Sequence, residues 1–227
     1  IETRTTHADD SLTIVTQDLG QDGSVIRSST ETVSADGLVR NEVIDEDGDG
    51  LADLAMDHAI SVAADGSRTE TMTYRNGDSA GREAVTEAVA ANGRDKTILR
   101  DVDGDGDTDT EEDLVITVAA DGSTQSVTAI RNQDGSVRHS TTQMQSDDAL
   151  TKTIETDRDG DGQTDLISVE DVTIHADDSR EALTTVTNGD GSLRAMERVT
   201  LGADKVSSET WVDLDQDGVF DAHDLVQ

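Results

Sequence analysis

The chain has 227 residues, with no cysteine and no proline, and its 51 acidic residues face 17 basic ones for a formal charge of −34. That excess argues against nucleic acid and anionic membranes as partners and favours cations or basic surfaces. Hydrophobic residues make up 33% and aromatics 1% (Tyr74, Trp211, Phe220), so a core of ordinary kind is short of large side chains and no disulfide compensates. Charge and hydrophobicity alone would place such a chain among disordered sequences. A folded reading therefore has to rest on order along the chain, and that order is an internal repeat.

The chain opens "IETRTTHADD", with no initiator Met and no signal-like start, which reads as an internal cut or a processed end. No apolar run reaches the roughly 18 residues that a membrane-spanning helix needs. The first turn signal, "ADDS" at 8–11, returns as "ADGS" at 64–67 and 120–123 and as "ADDS" at 176–179. A second begins at Asp22, Asp78, Asp134 and Asp190, and a third at Asp36, Asn92, Asp148 and Asp204. Each copy closes with an acidic loop: "DEDGDGLAD" at 45–53, "DVDGDGDTD" at 101–109, "DRDGDGQTD" at 157–165 and "DLDQDGVFD" at 213–221. Every series steps by 56 without insertion or deletion, which divides the chain into repeats 1–56, 57–112, 113–168 and 169–224. Residues 225–227 are then the start of a next repeat or a tail, and the expectation is a window from a longer tandem array.

Between the turns lie short stretches rich in Thr, Ser and Val. In "DLVITVAADGS" (113–123), Leu114, Ile116 and Val118 fall on one face with a period of two, as Ile60 and Val62 do, and Val172 and Ile174. Asp-Gly pairs between such stretches signal hairpins, because both residues tolerate positive φ. "REAVTEAVAANG" (82–93) has a local helical look, but its counterparts "VRHSTTQMQSDD" and "LRAMERVTLGAD" do not, so a strand is expected there too. The predicted fold is all-β: an elongated, solenoid-like antiparallel stack with about four strands per 56-residue repeat. A closed β-propeller with four strands per blade is the main alternative, and a string of independent modules is a third.

The acidic loop carries the chemistry. Carboxylates stand at positions 1, 3 and 5 of every copy, Gly at 6 and Asp at 9. This spacing lets side-chain oxygens converge as the chain curls, with position 7 offering a backbone carbonyl and position 12 a closing acid. The candidate ligands are Asp45, Asp47, Asp49, Leu51 and Asp53; Asp101, Asp103, Asp105, Asp107, Asp109 and Glu112; Asp157, Asp159, Asp161, Gln163 and Asp165; and Asp213, Asp215, Asp217, Val219, Asp221 and Asp224. Hard oxygen donors in a flexible loop suit Ca²⁺ over Mg²⁺, and the absence of His and Cys from the loops disfavours zinc and copper. Met56 and Ser168 stand at position 12 of copies one and three. Water, a neighbour such as Asp57 or another repeat would complete those shells, so the loop at 101 is expected to bind more tightly than those at 45 and 157. Four Ca²⁺ ions would bring the charge from −34 to −26.

These loops resemble the D-x-D-x-D-G-x-x-D calcium loops of EF-hand, dockerin and integrin-type proteins, with strands in place of the paired helices. The 56-residue pattern of "ADGS", "QDGS" and "DxDGDG" elements also resembles repeats of very large secreted bacterial proteins of the RTX-adhesin type. That resemblance implies calcium-dependent folding outside the cell, type I secretion and a surface or matrix role.

The five histidines (7, 58, 139, 175, 223) read as surface strand positions, and Trp211 as local packing near a calcium loop. Paired carboxylates can serve glycoside hydrolysis, but identical acids in every repeat argue for repeated ligation, so no enzyme is expected. The expected function is a calcium-stabilised structural segment of an extracellular repeat protein, either an adhesin stalk or a matrix or surface fibre. The alternatives are a calcium-braced module that binds glycan or protein, and a calcium-binding appendage of a secreted enzyme. Expected partners are calcium ions, neighbouring repeats or like subunits, and a surface glycan or protein as a further candidate.

Overall fold

The structure is a computed structural model that describes residues 1–226. The chain forms two units, Ile1–Asp113 with Asn132–Asp134, and Leu114–Arg131 with the chain from Gly135 onward. The strands of the first unit are β1 (Glu2–Thr6), β2 (Leu12–Leu19), β3 (Val25–Val33), β4 (Val39–Asp45), β5 (Leu54–Val62), β6 (Arg68–Asn76), β7 (Gly81–Val89) and β8 (Lys96–Asp101). The boundary falls within β9 (Thr110–Val118). Next come β10 (Thr124–Asn132), β11 (Val137–Gln145), β12 (Thr151–Asp157), β13 (Leu166–Ile174), β14 (Arg180–Asn188), β15 (Leu193–Leu201), β16 (Ser208–Asp213) and β17 (Ala222–Val226).

The fold is all-β and antiparallel, and the segment with a helical look is strand β7. Each strand pairs with its chain neighbour from β1 to β8 and from β10 to β17. The meander within each unit is open and does not close into a barrel. The propeller alternative does not hold. Its blades would end their ladders after four strands, whereas β4–β5 and β12–β13 continue the ladder through the acidic loops. No helix among the described residues is long and apolar enough to cross a membrane.

The 56-residue period is written into the backbone. Register shifts fall at Asp18/Leu19, Tyr74/Arg75, Ile130/Arg131 and Val186/Thr187. Each is a bulge just before a three-residue hairpin loop that holds one left-handed residue, and the alternate hairpins, with the same loop, carry no such shift. In the shifted hairpins that residue is Gly23, Gly135 or Gly191 in three copies and Ser79 in the other.

Residues opposite one another across an antiparallel pair share a face, and the registers sort the first unit's side chains into two chemistries. One face carries Ile14, Ile44, Leu54, Met56, Met72, Tyr74, Val85 and Ile98. Ion pairs run among them, Arg40–Glu31 at 2.6 Å and Lys96–Glu87 at 2.7 Å, and His58 Nε2 hydrogen-bonds Glu70 Oε1 at 2.6 Å. The other face carries Thr30, Ala59, Thr71, Thr73, Ala84, Thr86 and Thr97. At the end of the second unit Trp211 packs locally, stacked on His223 with ring centroids 4.0 Å apart, and Arg198 lies over both Trp211 and Phe220.

Little of this is a core. Only Ala129 and Val172 are buried among the apolar side chains described, and no described side chain falls below 2% exposure. The buried polar residues are Asp45, Asp157 and Asp213, the last at 4% exposure. Backbone ladders and loop chemistry must therefore supply order that a hydrophobic core supplies elsewhere.

Candidate metal centre

Turns alternate between the two ends of a meander. The acidic loops follow β4, β8, β12 and β16, so within each unit they share one end with the turns that follow β2, β6, β10 and β14. Each loop leaves its strand at an aspartate: in the first unit Asp45 pairs with Ser28 and Asp101 with Ala84 on the Thr-rich face, and in the second Asp157 pairs with Ser140 and Asp213 with Met196.

That first aspartate organises the loop. Asp157 Oδ1 accepts the Gly160 N–H at 2.7 Å and Oδ2 the Gly162 N–H at 2.9 Å. The same pair recurs from Gly48 and Gly50 to Asp45, from Gly104 and Gly106 to Asp101, and from Gln216 and Gly218 to Asp213. Burial pushes the Asp157 pKa up, but N–H donors of Gly162, Gly160, Asp159 and Asp161 outweigh it and hold the carboxyl below its ordinary value. The aspartate at position 9 closes the loop from the other side. Asp165 Oδ2 accepts the Arg158 N–H at 2.7 Å, and its own N–H donates to Thr156 O at 2.8 Å.

These bonds bring positions 1, 3 and 9 together. Asp45, Asp47 and Asp53 offer carboxylate oxygens within 4.8 Å of one another, as do Asp101, Asp103 and Asp109; Asp157, Asp159 and Asp165; and Asp213, Asp215 and Asp221. Position 5 lies outside this group of three. One oxygen of Asp49, Asp105, Asp161 and Asp217 accepts the N–H of position 7, that is Leu51, Asp107, Gln163 and Val219. Position 12 is on the other side of the sheet. Thr97 Oγ1 donates to Asp113 Oδ1 at 2.8 Å, which places Asp113 on the face of Asp101 and turns Glu112 away from it. Asp224 pairs with Thr210 while Asp213 lies on the alternate face, and Met56 and Ser168 are displaced in the same way. The structure therefore gives Glu112 and Asp224 no place beside the three carboxylates, and the extra acid at position 12 gives no reason to rank loop two above the others.

Sequence reasoning missed how loops one and three are held between neighbouring hairpins. Gly160, at φ +75, lies against the Val137 carbonyl, so that a Cβ there would collide with backbone. On the other flank Gly189 packs against Thr164 O and donates its N–H to Asp165 O at 2.7 Å. Gly48 on Val25 and Gly77 on Ala52 repeat the arrangement around loop one. The recurring Gly at position 4 was its signal in the sequence.

Each group supplies three carboxylates and no nitrogen or sulfur ligand. That donor set fits a hard divalent cation such as calcium, with waters and loop oxygens completing its shell. The chain matches no protein-family model and no curated protein sequence.

Proposed function

We propose that the chain is a calcium-stabilised structural segment of an extracellular repeat protein, an adhesin stalk or a matrix or surface fibre. The observation that carries the proposal is the recurrence of one three-aspartate group in all four acidic loops. An asymmetric catalytic site would not be copied at each step, whereas a structural ion is needed wherever a repeat joins the next. Each loop is that joint, since it links the last strand of one copy to the first of the next, and loops one and three sit against a hairpin on either side. A cation there neutralises carboxylates that otherwise repel, and it stabilises the folded chain by its binding free energy, about 1.4 kcal/mol per site at tenfold excess over Kd. Extracellular calcium modules work at about 10⁻⁴–10⁻³ M, which suits the outside of a cell. Resemblance to RTX-adhesin repeats points the same way.

The test is circular dichroism with small-angle scattering, in calcium and in EDTA. The reading predicts an ordered, rod-like particle in calcium that loses strand signal and expands in EDTA. A particle that stays equally folded and rod-like in chelator contradicts it.

A further inference from the structure

Loop three departs from the repeat. Its position 2 is Arg158, where the other loops have Glu46, Val102 and Leu214, and its position 7 is the amide Gln163. Between this loop and the β14–β15 turn lies a cleft of about 730 Å³, lined by Arg158, Gln163, Asn188 and Arg194 together with loop aspartates. Four aspartates border it, Asp159, Asp161, Asp165 and Asp190. Yet neither arginine makes an ion pair among the described residues. The carboxylates are engaged elsewhere: Asp161 by the N–H and Nε2 of Gln163, Asp165 by the Arg158 N–H, and Asp190 by the N–H and hydroxyl of Ser192. Arg194 has one long bond, from Nη1 to Asn188 Oδ1 at 3.3 Å. In a chain this acidic, two guanidinium groups without a carboxylate partner in one cleft are donors available to a ligand.

We propose that this cleft binds a carboxylated sugar, its carboxylate held by Arg158 and Arg194 and its hydroxyls by Asn188 and Gln163. The guanidinium fork matches the two oxygens of a carboxylate. Gln163 spends one amide N–H on Asp161 and Asn188 one on Ser192 Oγ at 2.9 Å, which leaves each a second N–H, and Gln163 its Oε1, for ring hydroxyls. The volume lies in the range of small-ligand pockets. The inference rests on the cation reading above. With four lining aspartates and Asp157 beneath them against two arginines, the metal-free cleft repels an anion, and a divalent ion in loop three removes most of that excess. Binding is then calcium-dependent, and by reciprocity the sugar tightens the cation at this loop alone.

The experiment is calorimetric titration of the calcium-loaded chain with digalacturonate. The expected result is one site per chain, abolished by EDTA, absent with the neutral digalactoside and weakened about tenfold or more by Arg158→Val, which installs the residue of loop two, or by Arg194→Gln. In the wild type, digalacturonate should tighten one of the calcium sites. No binding by a chain that does take up calcium overturns this inference and leaves the structural reading standing. Equal binding of the neutral sugar, or unchanged affinity in the Arg158→Val/Arg194→Gln double variant, overturns it too. A chain that takes up no calcium overturns both.

Discussion

At Asp121, in the turn between β9 and β10, one carboxylate oxygen accepts both the hydroxyl and the N–H of Ser123, at 2.7 and 3.0 Å. At Asp157, in loop three, both oxygens accept glycine N–H groups, and two more carboxylates stand within 4.8 Å. The first aspartate completes its turn by itself. The second shapes a loop whose three facing carboxylates, Asp157, Asp159 and Asp165, have no ion pair among the described residues. The same element, an aspartate closing a turn, serves as a local staple in one place and assembles a ligand group in the other. What separates them is whether a serine or two further aspartates follow.

The sharpest way to break this comparison is to make the same substitution in each. Asp157→Asn should lower calcium affinity at loop three by about a hundredfold or more, since even outer-shell partners cost 10–100-fold. Asp121→Asn, in the Ser-capped turn, should leave all sites unchanged, and terbium luminescence reads both. A second contrast concerns the hairpin contacts. Gly160→Ala should destabilise by about 2–3 kcal/mol, combining left-handed strain with the clash at Val137. Gly162→Ala, at φ +85 with nothing within 4 Å, should cost only about 1 kcal/mol in urea unfolding.

Acid offers a third. The Ser24 hydroxyl and N–H hold the Asp22 pKa below its ordinary 3.8, and Ser146 with the Leu150 N–H does the same for Asp148. A folded-state pKa below the unfolded one contributes stability above pH 3.8 that is lost as pH falls through the lowered folded value. The stability difference between wild type and Asp22→Asn should therefore shrink as pH falls below 3.8, and carboxyl titration by NMR should place Asp22 below that value. The smallest expected effect is the most pointed. Glu112→Gln should leave calcium affinity at loop two within about twofold, because Glu112 lies on the opposite face from Asp101. A large loss would return Glu112 to the shell.

The strands, the 56-residue step and the acidic loops were legible in the sequence, because turn residues with special φ must recur wherever the backbone does. The convergence of the aspartates at positions 1, 3 and 9 could be read from spacing alone. Position 12 could not: a helix following the loop brings that residue back over the ion, whereas a strand alternates its side chains and sends Met56, Glu112, Ser168 and Asp224 to the other face. The packing of Gly160 on Val137 and the cleft beside Arg158 depend on which hairpins become neighbours, and pairing register decides that.

The most direct test of the central claim is calorimetric titration of the EDTA-stripped chain with calcium, paired with thermal unfolding of the same samples. Four ions per chain, one for each three-aspartate group, with a melting temperature that rises as they bind, is the predicted result. Fewer than four saturable sites, or four that leave the melting temperature unmoved, would contradict the claim that these loops hold the cations that order the repeats.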